Sequence, residues 1–179
     1  ATTYHSITLI FEPGLRIVDR GREMMQAIRD LSPRLPVENR IQLRLETFAF
    51  EALDTIDWAL DAPLTPSLAF NDHLSMSMRS FDTNIQDRLF EHSPDYALAD
   101  TNDPRLASMR HEKHAMRAGL ESRAYMELID RVWARRPDVP AAMDPLAEKA
   151  RAHGVPMPRH DDTPVETRSF YRRLGATVS

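Results

Sequence analysis

The chain has 179 residues and a mass of 20.5 kDa, the size of one domain or two very small ones. Its 23 Lys+Arg against 27 Asp+Glu leave a formal charge of −4, which argues against a basic nucleic-acid sleeve, and its 42% hydrophobic content argues against wholesale disorder. The absence of cysteine excludes disulfides, thiolate zinc sites and cysteine nucleophiles, and it fits a reducing cytoplasm.

No apolar run reaches the roughly 18 residues of a membrane span, and no apolar N-terminal signal segment is visible. Neither a membrane nor a nucleic acid is therefore expected as a partner. The chain opens at Ala1 without an initiator methionine and stops at Ser179 within a segment that reads as extended. Both ends read as interior to a longer protein.

In chain order, Thr2 to Ile10 is rich in Thr, Tyr and Ile and predicts a strand, broken by Pro13-Gly14. From Asp19 to Leu31 the residues Met24, Ile28 and Leu31 fall at i, i+4, i+7 and predict a helix with that face inward. Ser32-Pro33 and Pro36 stop it. Ile41, Leu43 and Leu45 alternate with Gln42, Arg44 and Glu46, the cleanest strand pattern in the chain.

Glu51 to Leu60 predicts a short helix, closed by Pro63 and Pro66. Ser67 to Phe70 predicts a strand that runs into Asn71-Asp72-His73. A helical insert is expected over 80–138, broken early by Pro94 and Pro104, with Met109, Met116, Leu120, Leu128 and Val132 at helical spacing. Asp144-Pro145 predicts a helix start, Asp as N-cap and Pro at the first helical position, and Gly154 its end. Val155 to Arg159 leads into His160-Asp161-Asp162, and a last helix is expected from Pro164 to Leu174.

Strands alternating with helices predict an α/β fold with parallel strands and helical crossovers. The five glycines form neither G-x-G-x-x-G nor G-x-x-x-x-G-K-[ST], so a dinucleotide site or a P-loop has no support. Glu46, His73 and His160 each stand at the C-terminal end of a predicted strand, where parallel barrels build their sites. A carboxylate with imidazoles suits Zn²⁺ or another divalent transition metal.

Each residue also has a plainer reading. Glu46 could pair with Arg44 or with solvent, and His73 could be a hydrogen-bonded loop residue. His160-Asp161-Asp162 could cap the next helix. His111 and His114, at i, i+3, sit in the charged run Arg110 to His114 and read as a solvated face. His5 reads as core or surface, and the Met76-Ser77-Met78 stretch as packing.

The order Thr2-Thr3, Arg44-Leu45-Glu46, Asn71-Asp72-His73 and Gly154-Val155-Pro156 to His160-Asp161-Asp162-Thr163-Pro164 resembles the metal-dependent amidohydrolase superfamily. The branch it resembles is the α-D-ribose 1-methylphosphonate 5-triphosphate diphosphatases of phosphonate utilisation. The resemblance is firmest over residues 1–10, 38–82 and 140–178. It implies a (β/α)₈ TIM-type barrel of which this chain holds the middle strands, with one or two divalent metal ions in the complete protein.

By position, the resemblance makes Glu46 the bridging carboxylate and His73 and His160 metal ligands. It makes Asp161 and Asp162 catalytic, orienting ligands or positioning substrate, and Arg44 and Arg79 substrate contacts. The implied reaction is hydrolysis of a triphosphate with release of pyrophosphate from a small phosphorylated substrate.

The family's first-strand His-x-His or His-x-Asn pair and its final-strand aspartate have no counterpart here. Its Pro-Gly-Gln-Arg-Gln-like stretch is replaced by Leu74 to Ser80. The open sheet edges would be covered by the remainder of the protein or by another subunit. Three other readings stand beside this one: hydrolysis of an amide or cyclic C–N bond, an inactive fragment, and a non-catalytic helical binding protein that uses the insert.

Overall fold

A computed structural model describes residues 1–14, 16–62, 66–74, 112–158 and 165–177, the side chains of 165–167 excepted. Three strands, β1 (Thr2–Leu9), β2 (Glu38–Glu46) and β3 (Ser67–Asn71), form a parallel sheet in the order β1-β2-β3. The register pairs Leu9 with Leu45, Leu45 with Phe70, and Glu46 with Asn71.

Because successive side chains in a strand face opposite ways, this register sorts the sheet into two chemically different faces. Ile7, Leu9, Ile41, Leu43, Leu45, Leu68 and Phe70 share one face, and all are buried. The other face carries Ser6, Thr8, Gln42, Arg44, Glu46, Ser67 and Asn71. At its N-terminal end Glu38 accepts from Thr2 Oγ1 at 2.8 Å and from Arg40 Nε at 2.8 Å.

Helices pack on the apolar face. In α1 (Val18–Leu31) a Cβ built at Gly21 would stand 2.3 Å from Leu9 Cδ2, so the helix backbone lies directly on β1 at that residue. The inward stripe of α1 is therefore Gly21 and Met25, supported by Val18 and Ile28. The expected inward face was Met24, Ile28 and Leu31, but Met24 is 55% exposed and Leu31 49%. The apolar count favoured the larger side chains. The close approach instead selected the residue with none.

After a 3₁₀ turn at Phe50–Ala52, α2 (Leu53–Leu60) buries Ile56, Ala59 and Leu60. A short helical segment at 112–118 precedes α3 (Ser122–Trp133), whose buried residues are Tyr125, Ile129 and Val132. Gly119 at φ +67° breaks the two apart, and Met116, one of the residues at helical spacing, is 74% exposed while Ala115 beside it is buried. Trp133 stacks on Phe48 at 5.7 Å, which ties α3 to the chain just after β2. The earlier part of the expected insert lies outside the described residues.

The next helix, α4 (Val139–Ala152), starts ahead of the expected Asp144-Pro145 boundary and holds Pro145 in its interior. A proline there removes one ladder bond. The helix continues through it because Val139, Met143, Leu146, Ala147 and Ala150 form one continuous buried face. It begins with Pro140 in its first turn, following a 3₁₀ turn at Arg136–Asp138. Gly154 ends α4 at φ +65°, and Val155 N–H returns to Ala150 O at 2.8 Å. Lys149 bridges α4 to α2 through Asp57 at 2.8 Å and Asp61 at 2.6 Å.

Beyond β3 the sheet is extended by single bonds. Leu68 N–H donates to Pro156 O at 2.9 Å, Thr177 N–H donates to Met157 O at 2.9 Å, and Pro158 bridges Thr177 in parallel. In both of these bonds the segment supplies a carbonyl, so the N–H groups that Pro156 and Pro158 lack are not needed for them. A last helix, α5 (Val165–Arg173), returns Tyr171 to the apolar face, where its ring stacks on Phe70 at 5.7 Å. Among the described residues, no helix is long and apolar enough to cross a membrane.

Candidate functional site

Alternation along β2 puts Glu46, its last residue, on the polar face of the sheet. The chain then turns: Thr47 N–H donates to Asn71 O at 2.9 Å and Ala49 N–H to Glu46 O at 2.8 Å. The Glu46 carboxylate is thereby held against the start of the segment that follows β3, with the residue only 2% exposed.

His73 Nδ1 lies 2.9 Å from Glu46 Oε2, His73 N–H donates to the same oxygen at 3.3 Å, and Leu74 N–H donates to Oε1 at 3.4 Å. Burial pushes the Glu46 carboxyl above its ordinary range. The His73 contacts and the Leu74 N–H pull the other way, and the neighbouring Asp72 charge adds to the rise. With the carboxylate accepting, Nδ1 carries the imidazole proton and Nε2 carries the lone pair, the tautomer in which histidine ligates metals. The His73 side chain is partly exposed while its partner is not.

Asn71, next to Glu46 in register, is fully buried. Neither its Oδ1 nor its Nδ2 has a hydrogen-bond partner among the described residues. Arg44 stands two residues before Glu46 on the same face and is half-buried. No known-protein comparison gives a match: neither family models, curated proteins nor solved structures.

The site expectations divide cleanly. Glu46 and His73 come together although 27 residues apart, and Glu46 pairs with His73 rather than with solvent. His160, Asp161, Asp162 and Arg79 lie outside the described residues, as do His111 and Met76 to Met78. His5 lies within β1, away from Glu46, its Nε2 2.8 Å from Asn39 Oδ1.

Among the described residues no three His, Asp or Glu side chains converge. What the described residues do provide is a histidine whose ring is oriented by a buried carboxylate, the way metal-ligating histidines are held.

Two features escape sequence reasoning. Asn71 stands in the Asn-Asp-His run, yet nothing local gives it a role. The signal for it is a polar residue ending an otherwise apolar strand, in step with Glu46. The second feature is Glu12, just past the C-terminal end of β1. It accepts from Tyr125 Oη at 2.7 Å, with His114 Nδ1 4.0 Å from the same oxygen and the His114 and Tyr125 rings stacked at 6.2 Å. Burial and the Glu12 charge push the Tyr125 phenol up. Residues so distant in the chain carry no local signal of such a contact.

Proposed function

We propose that this chain is part of a metal-dependent hydrolase of the amidohydrolase type, built on a (β/α)₈ barrel. Its substrate would be the triphosphate of a ribose 1-phosphonate, cleaved to release pyrophosphate. The observation that carries this reading is the 2.9 Å contact between Glu46 and His73, which meet at the C-terminal edge of adjacent parallel strands.

Two features of the fold support it. The parallel strands follow one another in chain order without reversal, and α1 and α5 both lie on the apolar face. A sheet wound in one direction with helices on one face suits a barrel, whereas a doubly wound sheet needs helices on both faces.

In this reading His73, through Nε2, and His160 would hold the ion, Glu46 would orient the His73 ring from its other nitrogen, and Asp161 and Asp162 would orient the ion or the substrate. When bound, a divalent ion supplies Lewis acidity for attack by water on a phosphoryl group. Glu46 holds the proton on His73 Nδ1 and so keeps Nε2 available as a donor. Arg44 and Arg79 bring positive charge toward the phosphates.

Metal analysis tests the proposal. After loading with Zn²⁺ or Mn²⁺ and desalting, the protein is expected to retain divalent metal, and Glu46→Gln and His73→Ala to lose it. A chain that retains none, or variants that retain as much as the parent, would overturn the assignment. With the complete protein, release of pyrophosphate rather than of an amine or acid separates triphosphate cleavage from hydrolysis of an amide or cyclic C–N bond.

A further inference from the structure

The sheet begins at β1, and the phase of its ladder is fixed by Glu38 N–H, which donates to Ala1 O at 3.1 Å. In a parallel pair the N–H and C=O of one residue turn the same way and alternate along the strand. Thr3, His5 and Ile7 therefore bond to β2. Thr2, Tyr4, Ser6 and Thr8 turn their backbone groups away from it, where β1 has no neighbouring strand among the described residues. Thr2–Leu9 contains no charged residue and no proline, the devices that ordinarily keep an edge from pairing.

The same flank carries exposed apolar side chains. Arg22 and Arg29 lie over the Trp58 ring of α2, 4.8 and 5.9 Å from its centre, so one side of α1 faces α2. Helical spacing puts Met24 and Leu31 on the other side of the Gly21–Met25 stripe, beyond β1. They are 55% and 49% exposed, and Tyr4 on β1 is 56% exposed.

We infer that this flank is an interface with a second copy of this chain, β1 pairing antiparallel with its copy about a two-fold axis normal to the sheet. Pairing Thr2 with Thr8 and Tyr4 with Ser6 gives every outward N–H and C=O of these four residues a partner. The axis keeps both α1 helices on one face of the joined sheet. Since α1 spans β1 and β2, with Gly21 on Leu9 and Met25 beside Ile41, the two helices stand two strand spacings apart. That is roughly 10 Å, a distance at which helices pack. One symmetry operation thus covers both the free ladder and the apolar stripe. A strand without charges also meets its copy without repulsion. The inference concerns the 179-residue chain as it stands. It does not rest on the proposed function, which leaves this edge to a neighbouring strand of the longer protein.

Sedimentation equilibrium and amide hydrogen exchange test it on the whole chain, using the parent, the double variant Met24→Glu/Leu31→Glu, and Met116→Glu as an exposed control away from this flank. The parent is expected to form a dimer with a micromolar dissociation constant, and Met116→Glu to match it. The double variant should dissociate at least about tenfold more readily, because two charges are placed in the contact. The Tyr4, Ser6 and Thr8 amides should exchange at least about tenfold more slowly in the concentrated parent than in the dilute parent.

A parent that stays single at millimolar concentration overturns the inference and leaves the edge to other strands. A dimer that the double variant keeps unchanged overturns it too, since the contact then lies elsewhere. A dimer whose Tyr4, Ser6 and Thr8 amides exchange as fast as those of the single chain refutes the strand pairing, with no variant needed for that reading.

Discussion

The seat of α1 on β1 can be tested at one atom. Replacing Gly21 by Ala should stabilise an exposed helix by about 1 kcal/mol through propensity alone. Here the new Cβ would lie 2.3 Å from Leu9 Cδ2 and 3.5 Å from Ile7 Cγ2. Leu9 is fully buried and cannot swing into solvent. Overpacking of this kind costs about 1–3 kcal/mol. The net expectation is a loss of about 1 kcal/mol, which for a domain of this size lowers the melting temperature by roughly 2–4 °C.

Leu9→Ala alone should cost about 2–5 kcal/mol by opening a cavity. In the double variant the methyl group introduced at position 21 occupies part of that cavity. The two effects should therefore fall short of their sum, with a coupling of about 1 kcal/mol or more. Denaturant unfolding followed by circular dichroism, on the parent, both single variants and the double, measures this. Additive effects, with Gly21→Ala stabilising by the full propensity term, would show that α1 does not rest on the apolar face. The one-sided winding that leaves the polar face to the site would fall with it.

Two further outcomes follow from named contacts. Tyr171 is buried, stacks on Phe70 and donates to Thr47 Oγ1 at 3.2 Å. Tyr171→Phe should cost about 1 kcal/mol and Tyr171→Ala about 3–5, read from denaturation midpoints; equal losses would mean that the ring packing contributes nothing. The Arg135 guanidinium, bonded to Glu51 at 2.9 Å, holds that carboxyl below its ordinary range. A lowered folded-state value stabilises above the unfolded value and fades as pH falls through the folded one. Glu51→Gln should therefore be less stable than the parent at neutral pH and converge with it below the carboxylate range. A stability gap that stays constant with pH would refute the ion pair.

Much of the local structure was readable in the residues themselves. Strict alternation in Ile41 to Glu46 is a backbone-scale signal, and it placed both the strand and the side on which Glu46 stands. Gly154 ended its helix for a reason carried by the residue alone, freedom at positive φ. The meeting of Glu46 with His73 could be anticipated because each closes a predicted parallel strand, and parallel strands bring equivalent ends together.

Other features needed the assembled molecule. Which face of α1 turns inward was decided by how near the helix comes to Leu9, a distance between elements that no period in the sequence contains. Pro145 inside α4 shows a buried face overriding a local break signal. The solitary amide of Asn71 and the Glu12–Tyr125 bond arise from burial and from contacts across the chain. A sequence states which groups can bond; only packing determines which are dry, and which are left without a partner.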